Sequence, residues 1–530
     1  MLEIQNLRLP LDYDEGTLRA AAAARLGVAP ASLAELRLLR RAVDARRKSD
    51  LHFVAHVAVS LKAGEETHIA SGAAKAYLPA ALPSVPPLRT KPAKRPVVCG
   101  AGPAGLFAAL CLARAGAAPL LLERGAPVER RRLDIENFTR TRALNAESNV
   151  QFGEGGAGAF SDGKLSTGIH DPLCRHVLQE LCKAGAPAEI LWQARPHIGT
   201  DRLPLVVAGL RQAILAAGGE ARYDTRLSDL DITNGAIRAV TIQTGEKVEK
   251  IDISCLILAT GHSARDVFEM LHERGVPLTA KPFSMGLRVE HSQALIDAAQ
   301  YGSFAGHPAL GAADYRLSCH LPSGRAVYSF CMCPGGEVVA AASEPGCLVT
   351  NGMSFFARDG SNANAALLCS LAPADFGSGH PLAGIELQRR FERAAFALGG
   401  GDYSAPAQTM GDFLAGRSSK GPGALAGTYP LGLRFGDLSD CLPDFVTAAL
   451  REAVPGLARR LRGFAFPDAV LTGVETRSSS PVRVLRGEDG QSPGLAGLFP
   501  CGEGAGYAGG ILSAAVDGFR AATLALERLR

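Results

Sequence analysis

One stretch, Pro96 to Glu123, constrains the fold of this chain more than any other. A short apolar run, Val97 to Cys99, ends in the glycine turn Gly100 to Gly105, and a helical pattern follows it. A second apolar run, Pro119 to Leu122, ends at the acid Glu123. This order of strand, glycine turn, helix, strand and acid predicts a Rossmann-like unit that binds a dinucleotide.

Each part of this stretch has a physical role in that interpretation. Gly100 lets the strand turn sharply, Gly102 lets the backbone approach a pyrophosphate, and Gly105 lets the helix pack closely on the strand. The helix N-terminus offers free N–H groups and a partial positive charge to the phosphates, and Glu123 is placed to accept from both ribose hydroxyls. We therefore expect these residues to contact the dinucleotide: Gly100, Gly102, Pro103, Ala104, Gly105, Glu123 and Arg124.

Length and composition limit the class of protein. A chain of 530 residues predicts two or three domains, and 47% hydrophobic with 20% charged residues is typical of a soluble globular protein. The net charge of +4 gives no strong case for nucleic acid or an anionic membrane. Twelve scattered cysteines without a CxxC pair favour neither a metal site nor a disulfide framework. The sequence shows neither a signal peptide nor a membrane span, so we expect a cytoplasmic protein.

Residues 1–78 predict a small basic α+β domain. Residues 4–9 and 51–61 alternate like strands, and residues 17–26 follow a helical pattern. A basic cluster comprises Arg25, Arg37, Arg40, Arg41, Arg46, Arg47 and Lys48. A solvated basic face is the favoured interpretation, and contact with RNA is the alternative. Residues 79–95 are rich in proline and predict a semi-rigid linker.

A second glycine-rich stretch lies between Phe152 and Phe160. It cannot build a core, but it lets the backbone follow a ligand closely, and a flexible surface loop is the alternative. The predicted cofactor contacts here are Gly155, Gly156, Gly158, Ser161 and Lys164. Further on, residues 227–253 alternate like an antiparallel meander, and the apolar run 255–258 opens into Ala259, Thr260 and Gly261.

These motifs resemble the FAD-binding proteins of the glutathione reductase-like class, which also carry a Thr-Gly turn and a Gly-acid strand end, here Gly502 and Glu503. More narrowly, four segments are similar to a family of bacterial FAD-dependent dehydrogenases without an assigned substrate: SNVQFGEGGAGAFSDGKL, SFCMCPGGEVV, ETRSSSPVR and GEGAGYAGGILSAAVDG. The resemblance implies FAD as the cofactor. It also implies FAD contacts from Ala259, Thr260, Gly261, Gly502, Glu503, Gly509, Gly510 and Ile511.

The resemblance carries two further expectations. Glu503 stands where the class has aspartate, so the atom that it presents to FAD is left open. The helix that starts near Gly510 would direct its N-terminus at the flavin. Unlike the disulfide reductases of this class, the sequence has no second GxGxxG unit for NADPH between residues 160 and 255, and no CxxxxC pair. Electrons would therefore come from a small-molecule substrate or from NAD(P)H docked transiently on the flavin.

The predicted fold class is α/β. Residues 96–270 and 481–530 form a three-layer FAD-binding domain of Rossmann type, with a parallel sheet and a β-meander. Residues 271–480 form an inserted mixed or antiparallel substrate domain, with strands near 284–290, 315–321, 325–331 and 337–342.

Five residues are candidates for the chemistry. Cys331 and Cys333 could exchange electrons with flavin, one attacking and one resolving, or could be two buried thiols. Arg477 could clamp a substrate carboxylate or pair with Glu475. His320 could be a general base or a structural residue.

Tyr507 could bind substrate or cover the flavin. The predicted function is an FAD-dependent oxidoreductase that acts on a small molecule. The alternatives are a flavin-dependent protein that modifies or binds RNA through residues 1–78, and a flavin redox sensor without turnover.

Overall fold

The computed structural model describes residues 1–79, 83 and 85–530, so residues 80–82 and 84 of the predicted linker lie outside the described residues. The N-terminal unit consists of β1 (Leu2–Leu9), α1 (Glu15–Leu26), β2 (Leu33–Asp44), β3 (His52–Leu61), α2 (Glu65–Ala70) and β4 (Lys75–Ala76). Its strands form one sheet in the order β2-β3-β1-β4. Helix α1 begins after Asp14, whose carboxylate accepts from the Thr17 N–H, and ends at a left-handed Gly27.

The predicted basic cluster lies largely on β2 and the turn after it. Arg41 does not face solvent freely, because its guanidinium packs 4.5 Å from the Phe53 ring centroid and 4.7 Å from that of Trp192. Its N–H also donates to the Trp192 carbonyl at 2.7 Å. Arg41 therefore joins the N-terminal unit to the segment around Trp192.

The chain next builds a parallel sheet, a meander and their helices. In chain order these are β5 (Val97–Cys99), α3 (Pro103–Arg114), β6 (Leu120–Leu122), α4 (Val128–Thr141), α5 (Leu173–Lys183), α6 (Leu203–Ala216), β7 (Glu220–Arg222), β8 (Thr225–Thr233), β9 (Ala236–Thr244), β10 (Lys247–Asp252), β11 (Leu256–Leu258) and α7 (Arg265–Glu273).

The inserted segment contains a second, larger sheet. Its elements are β12 (Leu278–Ala280), β13 (Phe283–Ser292), α8 (Gln293–Tyr301), β14 (Ser318–His320), β15 (Ala326–Cys333), β16 (Gly336–Ala340), β17 (Thr350–Ser354), β18 (Asn362–Leu371), α9 (Ala383–Leu398), β19 (Ala405–Thr409), α10 (Met410–Ala415), β20 (Leu433–Phe435), α11 (Asp444–Arg460) and β21 (Val470–Glu475). The chain then returns through β22 (Val482–Val484), β23 (Leu498–Pro500) and α12 (Ile511–Leu529).

The parallel sheet has the order β23-β11-β5-β6-β7, so the last strand of the chain lies beside β11. One face of the sheet packs against α3, α6 and α12, and the other packs against the antiparallel meander β8-β9-β10. Successive residues of β5 pack on opposite faces of the sheet, since Val98 packs with the helices while Val97 and Cys99 pack toward the meander. The three-layer α/β fold predicted from the sequence is confirmed.

The large sheet has the order β14-β15-β18-β13-β21-β19-β20 and is antiparallel except for the β19–β20 pair. Three of the predicted strands belong to it, although the run at 315–321 is a strand only at Ser318–His320. The run predicted at 337–342 does not join this sheet. It forms β16, which pairs with β17 in a separate two-stranded ribbon. None of the helices in the described part of the chain is long and apolar enough to cross a membrane.

Candidate functional site

A cleft of about 330 Å³ lies where the glycine turns of the parallel sheet meet the large sheet. Most residues predicted to bind the cofactor line it, together with two of the predicted catalytic residues. These are Gly100, Gly102, Pro103, Ala104, Glu123, Arg124, Gly156, Gly158, Ser161, Lys164, Ala259, Thr260, Gly261, Gly502, Glu503, Gly509, Gly510, Ile511, Cys331 and Arg477. Gly105 and Gly155 lie behind this wall, where they allow close packing rather than line the cleft.

The first glycine turn requires glycine for steric reasons. Gly100 has φ +102°, and a Cβ on it would lie 2.3 Å from the Ala259 carbonyl oxygen. A Cβ on Gly105 would lie 1.7 Å from the Gly100 carbonyl oxygen, because α3 packs directly on the turn. The turn at 259–261 and the turn at 100–105 therefore touch through their backbones, which brings two predicted cofactor segments together.

Glu123 is buried and joins three segments of the site. Its Oε2 accepts from the Ala101 N–H at 2.8 Å, and its Oε1 accepts from the N–H groups of Gly125 and Gly153 at 3.0 Å each. A carboxylate offers about four lone-pair positions. Three are taken by the protein, so the capacity of Glu123 for ribose hydroxyls is smaller than the two bonds predicted.

The glycine loop after α4 is held by Arg131, a residue that the sequence did not single out. Its guanidinium is fully buried and donates to five backbone carbonyls at 2.7–3.2 Å. The acceptors belong to Asn149, Val150, Gly153, Glu154 and Gly156. Burial lowers the pKa of Arg131 to about 10. The loop is thus an ordered wall of the cleft rather than a flexible surface loop.

The described residues fit a dinucleotide such as FAD. A Cβ on Gly509 or Gly510 would meet no protein atom within 4 Å, and one on Gly102 would meet just the Gly156 Cα, at 3.8 Å. These glycines line the cleft, so the cleft beside them contains space that no protein atom fills. The first N–H groups of α3 and α12 have no intrahelical partners and suit anionic oxygens.

We expect Gly102→Val to weaken FAD binding at least about tenfold. The valine side chain would occupy cleft space that the pyrophosphate needs. It would not clash with the protein itself, because a Cβ at this position meets just the Gly156 Cα, at 3.8 Å. The measurement is the dissociation constant of FAD, obtained by flavin fluorescence on reconstituted apoprotein. Gly379→Val, at an exposed glycine outside the cleft with no neighbour within 4 Å, is the matched control. Equal FAD affinity in the two variants would contradict this assignment.

Glu503 lies on the cleft wall near His262, whose Nε2 is 4.0 Å from its Oε1. Burial raises the pKa of Glu503 to about 7, while Lys281 acts in the opposite direction. Burial also lowers the pKa of His262 to about 3, so this imidazole is neutral at pH 7. The site therefore holds a carboxyl that can be protonated near neutral pH at the position where the family resemblance left the contact open.

Cys331 and Cys333 occupy different environments. Cys331 lines the cleft, whereas Cys333 is fully buried behind it. Two cations flank the pair, since Cys333 Sγ lies 3.7 Å from Lys164 Nζ and 3.4 Å from Arg288 Nη2. Arg288 is fully buried and forms an ion pair with Glu475 at 3.0 Å. No local pattern places these cations beside the cysteines, because they lie 43 or more positions away along the chain.

Arg477 is not free to clamp a substrate, nor does it pair with Glu475. Its Nε and Nη2 donate to the buried carboxylate of Glu392 at 3.0 and 2.8 Å. The same carboxylate accepts from Arg265 at 2.8 and 2.9 Å. Arg477 therefore lines the cleft as part of a buried ion cluster that fixes the wall, which corrects both predictions for it.

Two other predicted catalytic residues lie away from the cleft. His320 is exposed at the end of β14, an edge strand of the large sheet. The Tyr507 hydroxyl accepts from the Arg486 N–H at 3.1 Å, and its ring lies 3.8 Å from the Arg486 guanidinium. Tyr507 thus packs against arginine instead of facing the cleft, which corrects the prediction that it contacts substrate or flavin.

Parts of the chain match two family models. The family described as "FAD-dependent protein, C-terminal domain-like" matches residues 282–478, and a domain of unknown function matches residues 1–60. A geranylgeranyl bacteriochlorophyll reductase-like protein of Thermoplasma acidophilum is 14% identical with a TM-score of 0.36, covering 82% of this chain and 78% of its own. A quinol fumarate reductase of E. coli is 13% identical with a TM-score of 0.37, covering 82% of this chain and 70% of its own.

A curated relative extends over the whole chain. An uncharacterized protein of Clostridium beijerinckii is 45% identical over 531 residues, which span 99% of this chain and 99% of that protein. Identity at this level over the full length indicates common descent and a common fold. The chain therefore belongs to the family of the Clostridium beijerinckii protein, and FAD is its cofactor.

Proposed function

We propose that this protein is an FAD-dependent oxidoreductase that transfers hydride between FAD and a small-molecule substrate. The observation that carries the proposal is that two units of the fold share one cleft. The glycine turns of the parallel sheet form one part of its wall, and Phe330, Cys331, Asn351 and Glu475 of the inserted segment form another. A second molecule bound against the inserted segment would therefore lie in the same cleft as the cofactor, beside it.

Bound FAD would supply the two-electron chemistry. The residues of the chain hold the substrate, exclude water and handle the accompanying proton. Glu475 is a candidate for the proton, because burial raises the pKa of its carboxyl to about 7 although Arg288 opposes this. A carboxyl with such a pKa can take or release a proton near neutral pH. Lys164, which follows the glycine loop and pairs with Asp162 at 2.9 Å, adds a cation to the cleft wall for an anionic substrate group.

The electron donor in this proposal is the substrate itself or a nicotinamide that docks transiently. A dedicated nicotinamide site of Rossmann type would need a second strand, glycine turn and helix. In the described part of the chain, two strands of the parallel sheet lead through a glycine turn into a helix, β5 into α3 and β23 into α12. Both turns are assigned to FAD in this proposal. A transient donor would therefore have to enter the cleft beside FAD.

Anaerobic titration of the purified holoprotein tests the proposal. NADH, NADPH and a panel of small metabolites are added separately, and we expect at least one to bleach the oxidised flavin absorbance within seconds to minutes. Gly102→Val stripped of flavin is the control for absorbance changes that do not involve FAD. Purified protein that never shows a flavin spectrum, even after reconstitution with FAD, would contradict the proposal.

A further inference from the structure

The backbone at Cys331 departs from regular strand geometry. Between Phe330 and Cys333 the pairing of β15 with β18 slips, since Phe330 lies opposite Ala366 and Cys333 lies opposite Asn364. Three steps along β15 thus match two along β18, which is a β-bulge. Cys331 at this bulge has φ +43°, a left-handed conformation that a residue other than glycine seldom adopts.

The bulge brings two thiols together at the cleft wall. Cys333 Sγ lies 3.3 Å from the Cys331 carbonyl oxygen, so the two residues meet at the bulge. Cys331 is half-buried and lines the cleft, while Cys333 is fully buried. An accessible thiol with a second thiol directly behind it is the arrangement that thiol–disulfide exchange requires.

Positive charge surrounds this pair. Lys164 and Arg288 contact Cys333 Sγ, and Lys164 and Arg358 both pair with the buried carboxylate of Asp162. Glu475 pairs with Arg288. The three cations Lys164, Arg288 and Arg358 are therefore balanced by two carboxylates, those of Asp162 and Glu475. One thiolate shared by the two cysteines would neutralise the remaining charge.

We propose that Cys331 and Cys333 form a redox-active dithiol that reduces a small disulfide entering the cleft, with Cys331 attacking and Cys333 resolving. This goes beyond the hydride chemistry proposed above and concerns the two thiols alone. It holds whether or not hydride transfer is correct, because the step needs no electrons from the cofactor.

The step balances in atoms and electrons. The Cys331 thiolate attacks one sulfur of the external disulfide, forms a mixed disulfide and releases the first thiolate. Cys333 then loses its proton to solvent and attacks Cys331 Sγ, so the Cys331–Cys333 disulfide forms and the second thiolate leaves. The dithiol is oxidised by two electrons, and the external disulfide is reduced to two thiols.

Electrostatics agree with this order of events. Contact with Cys333, then the charges of Lys164 and Arg288, hold the pKa of Cys331 well below its usual range. Burial and the neighbouring Cys331 raise the pKa of Cys333. Once Cys331 is in a mixed disulfide its charge is gone, and Lys164 and Arg288 then favour the Cys333 thiolate. The charged and titratable groups that face the pair are Asp162, Lys164, Arg288, Tyr315, Glu475 and Glu503, and Arg358 pairs with Asp162.

Glutathione disulfide is the probe for the first test. Reduced holoprotein is mixed anaerobically with glutathione disulfide, quenched with N-ethylmaleimide and digested. We expect two glutathione thiols released per protein and a Cys331–Cys333 disulfide in the mass spectrum. Cys333→Ser should stop at a glutathione adduct on Cys331, and Cys331→Ser should lower release at least about tenfold. The proposal fails if Cys331→Ser releases glutathione at the wild-type rate.

The second test measures thiolate character and does not depend on turnover. We expect the rate of iodoacetamide alkylation at Cys331 to have a pH midpoint well below the value of about 8.5 for a free thiol. Lys164→Met should raise this pH midpoint by about one unit, and Lys164→Arg should restore it. Cys319, half-buried on the neighbouring strand β14, is the internal control. A Cys331 midpoint at or above that of Cys319 would overturn the assignment.

Discussion

Replacing Glu392 by glutamine is expected to destabilise the protein by about 3–5 kcal/mol. The Glu392 carboxylate is fully buried on α9 and accepts from Arg265 and Arg477 at 2.8–3.0 Å, and from the Thr476 hydroxyl at 2.7 Å. Removing its charge takes from buried Arg477 the carboxylate with which it pairs, and leaves buried Arg265 with Glu344, at 2.6 Å, to compensate for its loss of water. The measurement is the midpoint of thermal and urea unfolding of the holoprotein.

The same helix supplies a matched control. Glu386 also pairs with an arginine, Arg389, but its side chain is 63% exposed. We expect Glu386→Gln to change stability by less than about 1 kcal/mol, because an exposed ion pair is worth little. Equal losses of stability in the two variants would mean that burial does not determine how much the Arg265–Glu392–Arg477 cluster contributes to stability.

The pH dependence of unfolding gives a second measurement on Glu392. Although burial opposes it, Arg265 and Arg477 hold the pKa of Glu392 well below its usual range. A carboxyl with a lowered folded-state pKa adds stability above its unfolded pKa, about 4.3, and loses it as the pH falls further. The wild-type protein should therefore lose stability more steeply than Glu392→Gln between about pH 4 and pH 2.

The cluster also shows which parts of the fold local sequence can predict. The turn at Gly100, the acid at Glu123 and the helix after Gly510 are encoded within short windows by glycine spacing and apolar runs, and the structure has all three. The two arginine partners of Glu392 lie 85 and 127 positions away, and no local pattern specifies them. The helical pattern does indicate that Glu392 is buried, because it lies on the same face of α9 as Ile385 and Ala395.

The predicted catalytic residues divide in the same way. Cys331 could be singled out because two cysteines beside a Pro-Gly-Gly turn form a local motif. His320 and Tyr507 were chosen by residue type, and their positions depend on how β14 and Arg486 pack in three dimensions. The bulge at Cys331 depends on the register of β15 against β18, which lies some 30 residues further along the chain. Pairings of this kind require the folded structure.

Arg131→Met is the second variant for which we expect a large effect. Methionine keeps much of the volume but removes every donor, so five carbonyls of the glycine loop lose this partner at once. Those of Gly153 and Gly156 still accept from the N–H groups of Gly156 and Ala159. Each buried carbonyl left without a donor costs about 1–3 kcal/mol before relaxation and water entry. We expect a loss of about 3 kcal/mol or more, together with at least about a tenfold loss in FAD affinity.

A neighbour on the same helix isolates the cause. Arg132 follows Arg131 on α4, but its side chain is 71% exposed and pairs with Glu136 one turn along. Arg132→Met removes the same charge from the same helix, and we expect it to change stability by less than about 0.5 kcal/mol and to leave FAD affinity unchanged. If Arg131→Met instead kept FAD and unfolded at the wild-type midpoint, the loop would hold its shape without the guanidinium. The wall of the cofactor cleft would then depend on the glycine backbone alone.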